Sequence, residues 1–277
     1  MEHTLSDRSP KTSTAMNYQL TLRQQLRALL RKYALDILGL AAKPAPGIHI
    51  LNGHRIEEEP EPETFRILLE KLSAQVSFIK IEDAVYKIEH KEQPDKPLVA
   101  FTFDDGFMEC YNIFAPILES FHTNALFFIN PNYVDGNKEY IQKFNSNTVL
   151  TPNKVPMRWH HLQKLSDRGH IIGAHTMDHF MINCNDESIL RYQIEKCKEV
   201  IEDKIGKPCE YFAFPYGKLS HANRSSIDIA CNKYEHVFSQ SDYKHYCSFE
   251  GKVINRRHFE PFWPVNHVRY FLSCHKK

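Results

Sequence analysis

From Ile48 onward, short apolar runs alternate with segments of helical periodicity. Because parallel strands are joined through helices, this alternation is typical of a mostly parallel α/β sheet. The predicted strands cover residues 48–51, 77–81, 98–103, 125–129, 170–174, 211–214, 236–239 and 252–254. The predicted helices cover residues 64–73, 108–120, 159–168 and 187–205. Gly169 follows the third helix, and Asn185 or Asp186 caps the fourth. About eight strands close into a barrel more readily than they form an open sheet with exposed edges, so we predict a (β/α) barrel.

An N-terminal extension is predicted over residues 1–46 and the barrel domain over residues 47–277. Residues 1–18 are rich in Ser, Thr and charge, which indicates disorder. Residues 21–40 carry leucines at helical spacing with basic residues mostly off that stripe, and residues 41–47 form a linker. This helix either packs on its own domain or rests, as a basic amphipathic helix, on a membrane surface or a partner.

Composition restricts the partners and the compartment. The chain has 277 residues, 42% of them hydrophobic, which is enough for one large core. Its formal net charge of +1 gives no global attraction for nucleic acid, and no nucleic-acid partner is expected. The seven cysteines form no CxxC pair, which favours free thiols in a reducing compartment. Without a secretory signal or a membrane-spanning apolar stretch, we expect a cytoplasmic protein, with peripheral membrane contact through residues 21–40 as a variant of that expectation.

The active-site residues of (β/α) barrels lie at the C-terminal ends of the strands. Asp104 and Asp105 follow the strand at 98–103, and His175 and His179 follow the strand at 170–174. If the second segment is helical, both imidazoles face one side, and with one carboxylate they make a three-ligand cation site. The other carboxylate is then free to take a proton from water, and the cation offsets the repulsion between the acids. The alternatives are a plain Asp-Asp-Gly turn and two surface histidines.

Two further strand ends carry candidate residues. The strand at 211–214 runs into a Pro-Tyr-Gly turn at 215–217, whose backbone N–H groups could face a ligand oxygen, although an ordinary turn is the alternative. The strand at 252–254 is followed by an Arg-Arg-His sequence at 256–258.

These motifs, in this order, resemble the polysaccharide deacetylase family, the carbohydrate esterase group with the NodB homology domain. Its first motif, T-F-D-D-G, is matched by residues 102–106. Its second, H-[ST]-x-x-H, is matched by residues 175–179, and its third, which ends in P-[YF]-G, by residues 215–217. The resemblance covers roughly residues 48–259 and implies a distorted (β/α) barrel of about seven strands.

The resemblance also implies a metal centre and a base. Asp105, His175 and His179 would bind a divalent metal, most commonly Zn²⁺, with Co²⁺, Mn²⁺ or Ni²⁺ as alternatives. Asp104 would be the general base toward the attacking water.

Three residues near the metal centre are implied in binding. Thr176 would hold the second-motif loop by hydrogen bonding, and the Tyr216 N–H would help bind the oxyanion. Pro215, Tyr216 and Thr176 are the predicted substrate-binding residues.

The chain departs from the family pattern in two places. The third motif usually has an Arg two residues before its Pro, thought to orient the base, and Ala213 stands there. Arg256 or Arg257 is the predicted replacement. The last motif, an apolar strand followed by L-x-x-H whose His is the general acid, is not recognised. His258 is the predicted substitute, and His221 or no protein acid at all are the alternatives.

The expected activity is removal of an N-acetyl or other N-acyl group from an amino sugar or a polysaccharide intermediate, in surface-polysaccharide biosynthesis. The expected partner is an amino-sugar-containing saccharide or a nucleotide- or lipid-linked sugar met inside the cell. Two alternatives remain open. One is a deformylase or another C–N amide hydrolase, such as a cyclic-amide hydrolase, on the same fold. The other is a pseudoenzyme that binds saccharide without turnover.

Overall fold

The structure is a computed structural model that describes residues 22–56 and 61–276. The predicted disorder of residues 1–18 lies outside the described residues. The strands are β1 Gly47–Gly53, β2 Ser77–Phe78, β3 Pro97–Phe103, β4 Ala125–Ile129, β5 Ile171–Ala174, β6 Tyr211–Ala213, β7 His236–Ser239, β8 Cys247–Ser248, β9 Val253–Asn255 and β10 Arg257–His258.

The α-helices alternate with these strands. They are α1 Leu22–Ala41, α2 Glu61–Ser73, α3 Ile81–Glu89, α4 Ala115–Ser120, α5 Pro131–Val134, α6 Lys138–Lys143, α7 Trp159–Asp167, α8 Glu187–Arg191, α9 Cys197–Ile205, α10 Arg224–Lys233 and α11 Val265–Leu272. Three π-helical segments, Cys110–Phe114, Phe144–Thr148 and Tyr192–Lys196, and a short 3₁₀ turn, Leu219–His221, complete the elements.

Most predicted elements are confirmed, with differences in their bounds. The predicted helix at 187–205 is divided by the π-helical segment Tyr192–Lys196. The predicted strand at 77–81 ends at Phe78, because Ile81 already begins α3. The Asn124 side chain accepts the Ile81 N–H at 3.0 Å, and this contact across the fold caps the helix. The predicted helix at 108–120 is α-helical only from Ala115 and π-helical before it. Pro116, in the first turn of α4, has no N–H to continue a regular ladder.

The sheet closes on itself. In the order β1–β3–β4–β5–β6–β7–β9 every neighbouring pair is parallel. Residues 253–258 form one continuous stretch that changes partner: Val253 pairs with Val237 of β7, whereas Arg257 pairs with Leu51 of β1. The barrel therefore has seven strand positions, with β9 and β10 sharing the last one. This confirms the predicted distorted (β/α) barrel of about seven strands.

Both faces of the strands are buried, and alternate residues belong to different clusters. One cluster takes every second strand residue together with α3 and fills the barrel interior: Ile48, Ile50, Ala100, Leu126, Phe128, Ala213, Phe238 and Ile254 are among its members. The residues between them, such as Leu51, Phe101 and Phe127, pack against the surrounding helices. Because strand side chains alternate with period two, Asn52, Thr102 and Arg256 continue the interior rows at the carboxyl ends of their strands.

The predicted helix at 21–40 is confirmed as α1. Its C-terminal half lies on α11, where Asp36 contacts His267 at 2.8 Å. Gly39 is required there, because a Cβ would lie 2.2 Å from the backbone oxygen of Asn266. Within residues 22–56 and 61–276, no helix combines the length and the apolar composition that crossing a membrane requires.

Candidate active site at the carboxyl ends of the strands

Asp105, His175 and His179 come together where β3 and β5 end. His179 Nε2 lies 3.4 Å and His175 Nε2 lies 3.9 Å from Asp105 Oδ1. One ligand atom from each residue lies within 4.8 Å of the others, and all three side chains are buried. The structure therefore brings together the three residues that the sequence selects as metal ligands.

The backbone that carries His175 and His179 is a turn and not a helix. Thr176 and His179 have φ of +63° and +56°, and Asp105 has φ of +73°. Such conformations are unfavourable for non-glycine residues and persist only where the surroundings impose them. Here the Asn130 side chain donates to the carbonyl oxygens of His175 and Thr176, which fixes the turn.

Two predicted substrate-binding residues are out of reach of a substrate. Thr176 is fully buried, and its hydroxyl accepts the Phe180 N–H at 2.9 Å, so it holds the loop. Pro215 is buried as well. Tyr216 is 43% exposed and is the member of this predicted group that faces the pocket.

The histidines are prepared as neutral ligands. His175 Nδ1 donates to the Ala213 carbonyl at 2.8 Å, which leaves the lone pair of Nε2 facing Asp105. Burial lowers the pKa of His175 to about 4 and lowers the pKa of His179 well below its usual value. Both imidazoles are therefore uncharged at neutral pH.

Among the described residues, Asp105 is the site carboxylate whose buried Oδ1 has no hydrogen bond. Burial, with the nearby Asp104 charge, raises the pKa of Asp105 to about 7, although His54 opposes the shift. Two neutral imidazoles and one carboxylate form a donor set that fits a divalent cation, whose charge would offset this burial.

Asp104, in contrast to Asp105, has hydrogen-bond partners on both of its oxygens. Arg256 binds it through two contacts, Nη1 to Oδ1 at 2.8 Å and Nη2 to Oδ2 at 3.1 Å, and Asn52 donates to Oδ2 at 3.0 Å. Burial raises the pKa of Asp104, but Arg256, His175 and His54 outweigh it and hold the pKa well below its usual range. Asp104 is therefore ionised.

The two predicted replacement arginines diverge. The Arg256 guanidinium lies at Asp104, in the barrel interior above the Phe128 ring at 4.9 Å. The Arg257 guanidinium lies 3.9 Å from the ring centres of Tyr243 and of Phe271. Successive strand residues point to opposite faces, so only one of the two faces the interior.

His54 is a site residue that the sequence analysis missed. Its Nε2 lies 3.9 Å from Asp104 Oδ2, and its Nδ1 lies 3.6 Å from Glu260 Oε1. Burial lowers its pKa, but Glu260, Asp104 and Asp105 outweigh this and raise it to about 9. The residues Leu51, Asn52, Gly53 and His54 spell L-x-x-H at the end of β1, ahead of the first motif. The chain therefore does contain an L-x-x-H sequence, but it lies at the start of the domain, whereas the family pattern places it in the last motif.

His258, the predicted acid, lies beside His54 with ring centres 5.1 Å apart. Burial and the neighbouring His54 charge lower the pKa of His258 to about 4. Of these two histidines, the one protonated at neutral pH is therefore His54. His221, the other candidate, contacts the Tyr216 ring with ring centres 5.6 Å apart and is not among the pocket-lining residues.

These groups share one pocket of about 360 Å³, lined by His54, Asp104, Asp105, Thr148, Val149, Leu150, His175, His179, Tyr216, Gln240 and His258. Tyr216 has φ of +62°, and its N–H donates to no group among the described residues. A larger pocket of about 520 Å³ opens beside α3 and β7 and contains none of the ligand or base candidates. The smaller pocket is therefore the one that contains the candidate ligands and the candidate base.

The chain is a (β/α) barrel with acids and imidazoles at the carboxyl ends of its strands, which is where barrel enzymes have their active sites. A family model described as polysaccharide deacetylase matches residues 91–231. The chain belongs to the polysaccharide deacetylase family.

The chain is also similar in sequence to a protein of Bacillus subtilis. The uncharacterized protein YlxY of Bacillus subtilis (strain 168) is 28% identical over 145 residues, which are 52% of this chain and 38% of that protein. The chain thus spans well under two thirds of that relative's length.

Solved structures share the fold. IcaB from Ammonifex degensii superposes with a TM-score of 0.67 at 18% identity, over 84% of this chain and 100% of that one. A de-N-acetylase from Aggregatibacter actinomycetemcomitans gives a TM-score of 0.60 at 17% identity, over 81% and 99%. The Streptococcus pyogenes deacetylase PplD, in complex with acetate, gives 0.59 at 16% identity, over 82% and 97%. These likenesses establish the barrel fold.

Proposed function

We propose that this protein is a metal-dependent hydrolase that removes the N-acetyl group from an amino sugar within a saccharide. The observation that carries the proposal is the placement of an ionised carboxylate, Asp104, beside a three-ligand cluster in an open pocket. The family and the structural neighbours, which include proteins described as deacetylases, support this reaction.

Asp105, His175 and His179 would hold the cation, and zinc suits two imidazoles with one carboxylate. When bound, it would polarise the scissile carbonyl and lower the pKa of water. Both histidines are already neutral, so they can bind a cation without first losing a proton.

Asp104 is assigned as the general base. Arg256 and Asn52 hold its oxygens in place, and the guanidinium keeps it ionised over the working pH range. It can therefore accept a proton from the attacking water. The Tyr216 N–H, which lacks a protein acceptor among the described residues, is assigned to the carbonyl oxygen that gains negative charge.

His54 is assigned as the general acid in place of His258. It faces the pocket and carries a proton at neutral pH, because Glu260 and the two aspartates stabilise its charged form. A departing amine must be protonated, and His54 is the group beside Asp104 that can supply this proton. Glu260 acts through His54 as a positioning residue.

The substrate is proposed to be a saccharide containing an N-acetylated amino sugar. The pocket is open to solvent at Tyr216, which is 43% exposed and offers a ring against which a sugar face can pack. A nucleotide- or lipid-linked amino sugar, or an intermediate of a surface polysaccharide, fits the same chemistry.

Amine release from a panel of N-acetylated and N-formylated amino-sugar oligomers tests the proposal. We expect release from the N-acetylated members by the chain loaded with one equivalent of zinc and its loss in Asp104→Asn. Release from the N-formylated members alone would establish a different amide hydrolase. Saccharide binding without any release would establish a pseudoenzyme.

We also propose that α1 rests on an anionic membrane surface. Leu26, Leu30, Tyr33 and Ile37 are all more than half exposed and lie on one face of the helix. Arg27, Arg31 and Lys32 are exposed beside them and would complement anionic headgroups.

Sedimentation with vesicles containing anionic lipid tests this second proposal. We expect binding that weakens with salt and is reduced in Leu30→Ser/Ile37→Ser. Equal recovery of both proteins in the supernatant would refute it.

A further inference from the structure

Next to the cluster already described, His54, His258 and Glu260 form a second group of potential metal ligands. One ligand atom of each lies within 4.8 Å of the others. His54 Nδ1 and His258 Nε2 lie 3.6 and 3.5 Å from Glu260 Oε1. Two ligands of a tetrahedral zinc ion are about 3.4 Å apart, so both distances to Glu260 are close to the required spacing. The two imidazole nitrogens lie within 4.8 Å of each other.

Among the described residues, one of these ligand atoms, His54 Nδ1, and the second carboxylate oxygen of Glu260, Oε2, are buried and lack a hydrogen bond. The distances of 3.5 and 3.6 Å to Glu260 are longer than ordinary hydrogen bonds. Buried polar atoms in a native fold usually have a partner, and their coincidence in one cluster indicates that the partner is a ligand.

We propose that His54, His258 and Glu260 form a second, inhibitory site for a divalent cation such as Zn²⁺. Two imidazoles and a glutamate are a recognised zinc donor set that leaves a coordination position open. His54 and His258 both line the pocket, so the site is accessible to an ion from solvent.

The position of the site explains its expected effect. Asp104 Oδ2 lies 3.9 Å from His54 Nε2 and 3.9 Å from His175 Nε2, so the base stands between the two ligand groups. A cation on His54 Nδ1 displaces the proton from that nitrogen into solvent, because a ligand nitrogen must be unprotonated. His54 then can no longer act as an imidazolium acid. The binding of the cation is independent of the function proposed above, whereas its effect on turnover rests on that function.

Zinc binding to the full chain tests the proposal without using activity. Chelator-treated protein is titrated with Zn²⁺ alone, and bound metal is counted by calorimetry and by elemental analysis after gel filtration. We expect two equivalents in the wild type, and one each in His258→Gln and His175→Ala. His90→Gln, which changes an exposed histidine on α3's C-terminal side, is the matched control and should bind two.

One equivalent in the wild type with none in His175→Ala would overturn the second site and leave the first intact. Two equivalents in both the wild type and His258→Gln would also overturn it. Two equivalents in the wild type and one in each variant, without turnover on any substrate, would support the site while the proposed function fails.

The rate measured against zinc tests the inhibition. Wild-type turnover should rise over the first equivalent and fall on the order of 10²-fold over the second, since general-acid catalysis contributes about that much. Turnover of His258→Gln, compared with its own maximum, should not fall over the same range. A second equivalent that raises the wild-type rate would overturn the inhibitory role.

Discussion

Arg256 is the residue whose replacement gives the most specific prediction. Its guanidinium is fully buried and binds Asp104 through two contacts at 2.8 and 3.1 Å, with Asn52 and Thr102 as further acceptors for Nη1. Arg256→Met keeps similar bulk but removes the charge. Removing one partner of a buried ion pair leaves the other uncompensated, so we expect a loss of about 3–5 kcal/mol in the free energy of unfolding at pH 7.

The sign of the pH dependence follows from Asp104. In the wild type its pKa is lowered, so the pair stabilises the fold above the unfolded pKa near 4 and this contribution is lost as pH falls through the lower folded pKa. Without Arg256, only His175 and His54 still oppose the effect of burial, so the pKa of Asp104 rises relative to the wild type. The stability gap between wild type and variant should therefore widen from pH 4 to pH 7.

Urea unfolding at several pH values measures this difference in stability. Deacetylation rates from pH 6 to pH 9 show the pH at which Asp104 becomes protonated. Because Asp104 would titrate at higher pH in Arg256→Met, the rate deficit should be larger at pH 6 than at pH 9. Arg257→Met is the matched control, since that guanidinium lies between Tyr243 and Phe271. A stability gap and a rate deficit that are both independent of pH would refute the assignment of Arg256 to the base.

Three further predictions concern the same pocket. Asp104→Asn should keep the cation of the first cluster and lose roughly 10²- to 10⁴-fold in kcat, measured by metal content and turnover, and full activity would disprove the base. His175→Ala should lose that cation and turnover together while circular dichroism stays unchanged, whereas His90→Gln should keep both. The pKa of about 9 for His54 predicts an alkaline decline in rate, shifted to lower pH by repulsion from a bound cation. His54→Gln should be slower and lack this decline, and a variant that kept the same alkaline limb would exclude His54 as the acid.

The barrel could be predicted from the sequence because its strands are short apolar runs separated by helical patterns. The boundaries that failed depend on distant residues. Asn124 caps α3 from the other side of a loop, so residues 77–81 cannot be divided between strand and helix by local pattern. Residues 175–179 are a second example. Their two histidines have helical spacing, but hydrogen bonds from the Asn130 side chain hold the segment as a turn.

The candidate ligands and the candidate base could be selected from the sequence because Asp104, Asp105 and His175 follow directly after apolar strands and His179 lies four residues beyond His175. His54 was missed because its motif was expected at the end of the domain. In a closed barrel the first strand adjoins the last, and Asn52 pairs with His258. A histidine at the end of β1 therefore occupies the same part of the pocket as one at the end of the last strand, and chain order does not distinguish them.

The choice between Arg256 and Arg257 was open for a different reason. Val253 and Ile254 are both apolar because both faces of a barrel strand are buried, so the alternation does not reveal which face is the interior. The structure resolves this, since Ile254 belongs to the interior cluster and Arg256 lies two residues further along.

Arg256 links closure of the barrel to the proposed chemistry. Its N–H donates to Ser239 on β7 at 2.8 Å, while its side chain reaches Asp104 after β3 and Asn52 on β1. It stands where residues 253–258 change partner from β7 to β1, so the residue at the junction also fixes the base. The usual arginine position, Ala213, belongs to the same interior, where a second buried guanidinium would repel the first. The absence of an arginine at 213 and the presence of Arg256 on the last strand are therefore two parts of one change.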